Sequence, residues 1–479
     1  MKRYLKYSTV LSAAFVVVVL ASCKKLVTIS TPPGNVNSDN VYNSDATAIG
    51  AVTNIYAAMS TSNLPGGGVT SMNLFPGLSA DEFSLYSGTT NSAVYYYYTN
   101  SLSSINLNSP DFWAAFYGMI FDVNAALEGI STSSGLTASV KQQLSGEMLF
   151  MRAFCYFYLV NLYGDVPLVL TTNYNTNAGL PRTSKTIVYQ QIISDLKNAE
   201  NVLSQTYLDG TLLSTSPERV RPTKWAACAL LSRVYLYTGD YTDAETQTSA
   251  VIGNSSLFSL TALDSVFLKN SSEAIWQLQP VNAGWNTEDA KIFILPASGP
   301  NATGVNSYFL SPQLLSSFEN SDSRRTHWID SVSVDGSTYY YPFKYKSATF
   351  NNPVTEYEAV FRLSEQYLIR AEARAQQSNI SGAQADLDTI RSRAGLPGTA
   401  AYDLTTLLAA ILHERQVELF TEWGHRWLDL KRTGNVDIVM PVVAAEKGGA
   451  WNTEYQWYPI SRTQLQFDVK LVQNAGYSN

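Results

Sequence analysis

The sequence predicts a single, mostly all-α domain, built from tetratricopeptide-like helical hairpins and long irregular loops. Apolar residues recur at three- and four-residue spacing in several segments, as they do along the buried face of a helix. Two segments, 222–253 and 362–395, each contain two such helices with small residues where the pair would touch. Stretches rich in Gly, Asn and Tyr separate the helices, so the hairpins cannot form a regular solenoid.

The amino-terminal residues have the pattern of an export signal. Three basic residues precede an apolar run at 9–20, which is shorter than the roughly 20 residues that span a bilayer. Residues 20–23, LASC, then match a lipobox, in which the cysteine thiol takes a diacylglycerol. We therefore expect residues 1–22 to be a lipoprotein signal peptide and Cys23 to be the site of lipid attachment.

The residues after Cys23 predict a tether and then the folded domain. Residues 23–43 are polar and contain two prolines followed by glycine, which is typical of an extended linker. Ser44 is a suitable N-cap for a helix through residue 60. We therefore expect a lipid-anchored tether at 23–43 and one domain at 44–479.

Composition limits the kinds of ligand. Only 15% of the 479 residues are charged, against roughly 25% in an average soluble domain, whereas tyrosine occurs 30 times. The net charge is −7, and it becomes −10 once Lys2, Arg3 and Lys6 leave with the signal peptide. Such a surface suits neutral polar ligands and argues against nucleic acid, which needs basic patches.

The helices place several charged residues among apolar ones. Arg152 lies on an apolar helix predicted at 139–163, and we expect it to pair with Glu147 or Glu128. Near the C-terminus, within 411–432, charged residues continue the apolar stripe of a helix that Gly424 should end. A lone buried charge is costly, so a mutually neutralising network is expected there. Its members are Arg415, Glu418, Glu422 and Arg426.

Aromatic residues in the predicted loops are candidates for binding a ligand. An aromatic ring with nearby amides suits a sugar, which has C–H groups on one face and hydroxyls at its rim. The four tyrosines at 95–98 lie in a region predicted as loop, 64–110, and would present alternate rings on one side if extended. The alternative is that many of these rings belong to the core. The candidates are Tyr86, Tyr95, Tyr96, Tyr97, Tyr98, Asn100, Trp285 and Tyr308.

The sequence offers no supported catalytic, metal or cofactor residues. Glu414 and Glu418 lie one helical turn apart, whereas glycoside hydrolysis needs two carboxylates that face each other across a cleft. His413 begins an H-E-x-x-H look-alike that has Val417 in place of the second histidine. With the three histidines of the chain, Cys155 and Cys228 cannot build a thiolate zinc site. Buried free thiols are favoured for this pair, and a disulfide stays open.

Four segments, in order along the chain, resemble one family. Residues 414–432 read ERQVELFTEWGHRWLDLKR and are similar to a C-terminal signature of the SusD/RagB family, surface nutrient-binding lipoproteins, with Trp423 inserted. Residues 146–169, GEMLFMRAFCYFYLVNLYGDVPLV, resemble a second signature of that family. The helix from Ser44 and the closing segments at 458–477 also resemble it, so the resemblance covers nearly the whole mature chain.

The resemblance implies a SusD-like outer-membrane lipoprotein that binds oligosaccharide or polysaccharide fragments. It further implies delivery of the ligand to a SusC-like TonB-dependent transporter without catalysis, with the hairpins facing the transporter and the tyrosine-rich loops facing the ligand. Surface exposure is expected, although the basic Lys24 and Lys25 replace the acidic residues that often follow the cysteine of surface-exported proteins. A peptide-binding member of the family, a glycoside hydrolase and a helical scaffold without a small ligand remain alternatives.

Overall fold

The structure, a computed structural model, describes residues 40–61, 69–106, 111–304 and 306–478. The expected signal peptide, Cys23 and most of the expected tether lie outside these residues. Within them the mostly helical fold is confirmed, and no helix there is long and apolar enough to cross a membrane.

The helices and strands alternate unevenly along the chain. The helices are α1 (Asp45–Ser60), α2 (Phe75–Ser79), α3 (Ser92–Tyr98), α4 (Phe112–Thr132), α5 (Ala138–Tyr163), α6 (Tyr174–Asn177), α7 (Lys185–Val202), α8 (Lys224–Thr238), α9 (Tyr241–Ile252), α10 (Glu288–Phe293), α11 (Pro312–Ser317), α12 (Arg324–His327), α13 (Leu363–Gln376), α14 (Ile380–Arg393), α15 (Leu404–Glu418), α16 (His425–Arg432), α17 (Val436–Glu446) and α18 (Arg462–Phe467). The strands are β1 (Phe83–Leu85), β2 (Ala274–Leu278), β3 (Tyr308–Leu310), β4 (Ile329–Val334), β5 (Ser337–Pro342) and β6 (Glu358–Arg362).

The long helices form one row in which each packs against the next. The order is α4, α5, α7, α8, α9, α13 and α14, and α15 packs against α13. The segments 222–253 and 362–395 are the helix pairs α8–α9 and α13–α14, joined by short breaks. Gly239 ends α8 with a φ of +78°, a left-handed conformation that glycine adopts without steric cost.

Local sequence signals explain where these helices begin. Side chains of Ser44, Asp240 and Asn379 accept hydrogen bonds from the first-turn N–H groups of α1, α9 and α14. Asp403 and Thr406 form a reciprocal capping box at the start of α15. Each cap satisfies N–H groups that have no partner within the helix.

Three two-stranded antiparallel sheets lie among the loops, and they pair β1 with β3, β2 with β6, and β4 with β5. The β4–β5 hairpin turns at Asp335 and Gly336, which have φ values of +50° and +79°. A two-residue turn with positive φ at both positions matches the twist of a hairpin. This hairpin carries tyrosines 339–341 out of the helical row.

Residues 69–106 contain more regular secondary structure than the sequence indicated. Within the part that the structure describes they contain α2, β1 and α3. The four tyrosines at 95–98 are helical and not extended, because the Asn91 side chain accepts a hydrogen bond from the Val94 N–H and starts α3. Their rings therefore point around a helix, and the expected alternation on one side is wrong.

Candidate ligand-binding site

Three segments meet beside the β1–β3 sheet. At the end of β1, the Tyr86 N–H donates to the Ser307 carbonyl at 2.8 Å, and the Thr90 N–H donates to the Ala302 carbonyl at 2.9 Å. Strand β5 packs against β3, which brings the β4–β5 hairpin to the same place. The loop after β1, the segment before β3 and the hairpin therefore form one surface.

Aromatic rings cover this surface. The ring centroids of Tyr86 and Tyr339 lie 5.8 Å apart, and those of Phe309 and Tyr339 lie 5.0 Å apart, both edge-to-face. All three side chains are half-buried, so each keeps part of its ring in contact with solvent. We call Tyr86, Phe309 and Tyr339 the aromatic surface. Edge-to-face contacts hold such rings in place, so a ligand would meet an already ordered surface.

Helix α3 adjoins the aromatic surface because it packs against β1. The Tyr98 hydroxyl lies within hydrogen-bonding reach of Ser84 on that strand. Tyr95 is 46% exposed, and its ring lies 5.9 Å from that of the half-buried Tyr96. Tyr86, Tyr95 and Tyr96 are thus the sequence candidates that present ring surface here.

Three of the eight candidates are buried and engaged within the protein, so we remove them from the ligand-facing set. The Tyr97 ring packs against Phe75 at 4.8 Å. Asn100 has a φ of +52° after α3, and its side-chain amide donates to the Ser79 carbonyl. The Tyr308 hydroxyl donates to the Ile292 carbonyl at 3.0 Å, beneath the aromatic surface.

The remaining candidates, Tyr98 and Trp285, are half-buried. The Tyr98 ring lies 4.9 Å from the amine of Lys447, so this face of the ring packs against a side chain of the protein. Trp285 tilts against the exposed Phe350 at 5.3 Å, and Lys291 lies 5.2 Å from its ring. Trp285 and Phe350 form a separate aromatic pair.

Phe309 and Tyr339 are not among the site residues that the sequence predicted. Both lie in stretches expected to be irregular, yet residues 337–342 read STYYYP after an Asp-Gly turn. Alternating residues of a strand point to opposite faces, so Tyr339 and Tyr341 share one face and Tyr340 takes the other. The Asp-Gly pair flanked by β-branched and aromatic residues was the signal that could have identified the hairpin.

The four charged residues expected to form a network are buried and paired, but each pairs with residues outside the expected set. Glu418, fully buried, accepts hydrogen bonds from Arg324 at 2.9 Å, from Arg362 at 2.5 Å and from Arg393. Despite burial, these guanidinium groups hold the pKa of Glu418 well below its usual value. Glu422 pairs with Arg362 and also with the buried Lys344. The partners come from β6, α12 and α14, and not from the same helix.

The two other members find partners elsewhere as well. Arg415 pairs with Asp429 at 2.7 Å, and Arg426 pairs with Asp81 at 2.6 Å. Gly424 begins α16 with a φ of +69°, whereas α15 already ends at Glu418. Because the chain reverses between these helices, the four residues cannot align on one face and neutralise one another as expected.

Arg152 also pairs with a residue other than those predicted. Its guanidinium binds Asp195 on α7 with two hydrogen bonds of 2.8 Å, and binds neither Glu147 nor Glu128. Glu147 instead pairs with Arg221. Both pairs join neighbouring parts of the helical row.

The inserted Trp423 fills the space between the helical row and the β2–β6 sheet. Its ring lies 5.5 Å from Phe154 on α5, and its indole N–H donates to the Ala359 carbonyl at 2.9 Å. The side chain is 1% exposed. The insertion therefore adds to the core and leaves the ion pairs around it intact.

A second buried acidic pair lies below the aromatic surface. The Asn73 amide donates to Asp289 at 2.7 Å and to Glu358 at 3.0 Å. Burial raises the pKa of Asp289 to about 8, although the Asn73 hydrogen bond acts in the opposite direction. Burial and the Asp289 charge also raise the pKa of Glu358 well above its usual value. The pair is therefore most stable with protons bound.

The carboxylates of Glu414 and Glu418 do not form a hydrolytic site. Glu414 and Glu418 are buried and held by arginines, so a sugar cannot reach them. Among the described residues, no three His, Cys, Asp or Glu side chains are arranged to hold a metal ion. Cys155 and Cys228 are free and buried, which confirms the favoured interpretation.

A wide groove lies between several of the helices. It has a volume of about 860 Å³ and lies among α8, α9, α13, α15 and α17. Leu404, Leu408 and Leu412 line it from α15, and Val439 lines it from α17. Ile438 and Val442 on α17 are 71% and 61% exposed. The helical row thus borders a groove lined by both apolar and polar side chains, and α17 beside it exposes two apolar side chains.

The fold and these surfaces define a helical-hairpin protein whose long loops build a separate aromatic face. A family model described as starch-binding, associating with the outer membrane, matches residues 35–236, and a model of the SusD family matches residues 330–477. Together the two matches cover well over half of the chain. The protein belongs to the SusD/RagB family.

Curated relatives agree with this assignment. SusD-like protein P25 of Formosa agariphila is 24% identical in an alignment 435 positions long that covers 77% of this chain and 79% of the relative. A SusD-like protein of Bacteroides ovatus is 25% identical in an alignment 383 positions long that covers 69% of this chain and 67% of the relative.

Solved structures share the fold. A SusD superfamily protein of Bacteroides vulgatus has a TM-score of 0.77 at 19% identity, over 90% of this chain and 99% of that one. A laminarin-binding SusD-like protein has a TM-score of 0.74 at 24% identity, over 91% and 100%. Surface glycan-binding protein A of Bacteroides uniformis has a TM-score of 0.75 at 19% identity, over 90% and 100%.

Proposed function

We propose that this protein binds oligosaccharide or polysaccharide chains on its aromatic surface and does so without catalysis. The observation that carries the proposal is the group of half-exposed rings, Tyr86, Phe309 and Tyr339, held by edge-to-face contacts on a loop-built face. The names of two structural relatives, a laminarin-binding protein and a surface glycan-binding protein, support a glycan as the ligand.

The chemistry of the face suits a sugar chain. Rings supply an apolar surface for sugar C–H groups, and the exposed Thr90, Asn301 and Thr303 supply hydroxyl and amide groups for the sugar rim. The surface is broad and joins three segments, so it fits a chain lying across it. No acid-base pair lies among its side chains, which supports capture without cleavage.

Binding measurements with single-ring variants test this proposal. Tyr86→Ala and Tyr339→Ala should each weaken binding of the best glycan from a panel by roughly five- to 150-fold, because each removes a stacking face worth roughly 1–3 kcal/mol. Tyr402→Ala is the matched control, since Tyr402 is 74% exposed in the loop before α15. Isothermal titration calorimetry should show the control unchanged.

The same panel decides between the glycan and peptide alternatives. If a peptide pool binds and no glycan does, the peptide-binding interpretation replaces ours. If reducing ends appear when the purified protein is incubated with polysaccharide, the protein is a hydrolase.

We also propose that Cys23 anchors the protein to the outer membrane at the cell surface and that its helical row docks on a SusC-like TonB-dependent transporter. The family description supports association with the outer membrane. The groove and the exposed Ile438 and Val442 support a protein partner on the helical side. Co-purification with the transporter should be lost in Ile438→Asp combined with Val442→Asp, whereas glycan binding should persist.

A further inference from the structure

We infer that the aromatic surface selects uncharged glycans and rejects those carrying carboxylate or sulfate groups. This inference rests on the proposed function, since it names the class of glycan that the surface would bind. It follows from where this chain places its charged residues around the three rings.

The segments that build the surface are almost free of charge. Between Glu82 and Asp111 the sequence contains no Asp, Glu, Lys or Arg, and the same holds between Lys291 and Glu319. The first of these stretches carries Tyr86 and α3, and the second carries Phe309. In a chain with 15% charged residues, two uncharged stretches of this length that meet in space form an extended neutral face.

Two cations close to these segments, Arg325 and Lys447, point elsewhere or are occupied. Arg325 lies 4.5 Å from the ring of Tyr340, which faces away from Tyr339 on β5. The Lys447 ammonium donates to the Leu78 and Ala80 carbonyls beneath α3. Burial lowers the pKa of Lys447 to about 7, so a substantial fraction of this amine is uncharged at neutral pH.

The charged groups on the hairpin's Tyr339 side are carboxylates. Val332 is the cross-strand partner of Tyr339 and Asp330 that of Tyr341, so these four residues share a face. Asp330 is exposed and accepts a hydrogen bond from the Tyr341 hydroxyl at 3.2 Å. Asp335 lies at the exposed turn. An anionic ligand would meet negative charge here.

Desolvation disfavours an anionic ligand on this face. A carboxylate or sulfate that loses water against a face without a cation gains no compensating ion pair. A neutral sugar loses only hydroxyl hydration, which the hydroxyl and amide groups of this face can replace. The net charge of −7 adds a weaker long-range repulsion that salt screens.

Affinity electrophoresis and calorimetry on the purified lipid-free chain test the inference at about 0.15 M salt. The panel contains neutral starch, β-1,3-glucan, xylan and mannan, and anionic polygalacturonate, alginate and sulfated galactan. The bound neutral glycan is then compared with its carboxymethylated and hydroxyethylated forms, which block hydroxyls similarly and differ in charge. We expect the carboxymethylated form to bind at least tenfold more weakly than the hydroxyethylated form.

The outcomes separate the two proposals. Equal or tighter binding of an anionic glycan overturns the inference and leaves the proposed function standing. Failure of every glycan to bind overturns both. A gain-of-function variant adds an independent check: Ser87→Lys, next to Tyr86, should narrow the gap between the two modified glycans several-fold. Thr405→Lys, exposed on α15, should leave the gap unchanged, and the same narrowing in that control would also refute the inference.

Discussion

Removing the Glu418 carboxylate should destabilise this protein far more than removing an exposed one. Glu418 is fully buried and neutralises parts of three guanidinium groups, on Arg324, Arg362 and Arg393. Glu418→Gln keeps the shape of the side chain but leaves these groups with less negative charge around them. Breaking a buried pair in this way costs about 3–5 kcal/mol, because an uncompensated buried charge remains.

The matched control is Glu245→Gln. Glu245 pairs with Arg374 at 2.8 Å, but both side chains are more than one-fifth exposed. Exposed pairs are worth roughly 0.2–1 kcal/mol, since water screens them. The two variants make the same chemical change, so the difference in unfolding free energy isolates the effect of burial.

Urea denaturation at pH 7, followed by tryptophan fluorescence, is the appropriate assay. Roughly 2.1 cal/mol/K per residue over about 440 residues gives an unfolding entropy near 0.9 kcal/mol/K, so 4 kcal/mol would shift Tm by only about 4–5 °C. The shift in the urea midpoint is a larger signal. A loss below about 1 kcal/mol for Glu418→Gln would refute the electrostatic account.

The pH dependence gives a second check on the same residue. A carboxylate whose folded pKa is lowered contributes stability above its unfolded pKa, and this stability is lost as pH falls through the folded pKa. The pKa of Glu418 is held well below 4.5. The gap in stability between the wild type and Glu418→Gln should therefore persist at pH 7 and 5.5 and shrink only in strong acid.

Three further predictions concern other parts of the fold. Burial raises the pKa of Asp289 to about 8 in the folded protein. The protonated Asp289 therefore contributes fully to the free energy of unfolding below the unfolded-state pKa, and this contribution is lost as the pH rises through about 8. Asp289→Asn should therefore lose less stability than the wild type between pH 5.5 and 8.5, by up to roughly 3 kcal/mol in urea titrations; an equal loss would contradict this assignment. Burial raises the pKa of the Cys155 and Cys228 thiols, so both should react with a thiol reagent only after unfolding, and rapid labelling of the native protein would show exposure that the structure lacks. Trp423→Ala removes a fully buried ring and should cost about 3–5 kcal/mol in the same titration, whereas Trp451→Ala, with a partly exposed ring, should cost less.

The sequence predicted the helical layer well because that layer depends on local periodicity. The pairs α8–α9 and α13–α14 were visible from apolar spacing, small residues and a break between the helices. Burial of charge at Glu418 was also visible, because it continues an apolar stripe. Such signals lie within about twenty residues of one another, so one sequence contains them in full.

The partners of the buried charges could not be predicted in the same way. Glu418 pairs with Arg324 and Arg362, which are distant in sequence, and Arg152 pairs with Asp195 instead of with a nearer glutamate. From the sequence alone, many pairings of these arginines with carboxylates would neutralise the buried charges equally well. Only the packing of α5 on α7, and of α15 near α12 and β6, selects one of them.

The conformation of the tyrosines at 95–98 was not predicted, for a different reason. A short apolar or aromatic run has no decisive period, and the aromatic residues favour a strand. The Asn91 cap decides for a helix, and this sends Tyr97 into the core while Tyr95 stays exposed. The choice of cap therefore changes which tyrosines can reach a ligand.

The C-terminal signature and the aromatic surface are physically connected. Arg426 binds Asp81, and the Thr421 N–H donates to Glu82 at 2.9 Å, so the turn between α15 and α16 holds the two residues that precede β1. Burial raises the pKa of Glu82 to about 7 in spite of that hydrogen bond. The Glu82 carbonyl in turn accepts the Ser311 N–H at the end of β3.

This connection separates the anchors of β1 and β3 from the rings of the aromatic surface. The contacts of Asp81 and Glu82 fix the start of β1 and the end of β3. Tyr86 comes directly after β1 and Phe309 lies within β3, so the position of both rings depends on these contacts. Replacing Arg426 with methionine should therefore loosen the base of β1 and weaken glycan binding without altering any ring that touches the ligand. Rescue by Arg426→Lys, which restores the charge but not the two-point contact with Asp81, should be partial. Unchanged affinity in the folded methionine variant would show that the aromatic surface is positioned independently of the signature.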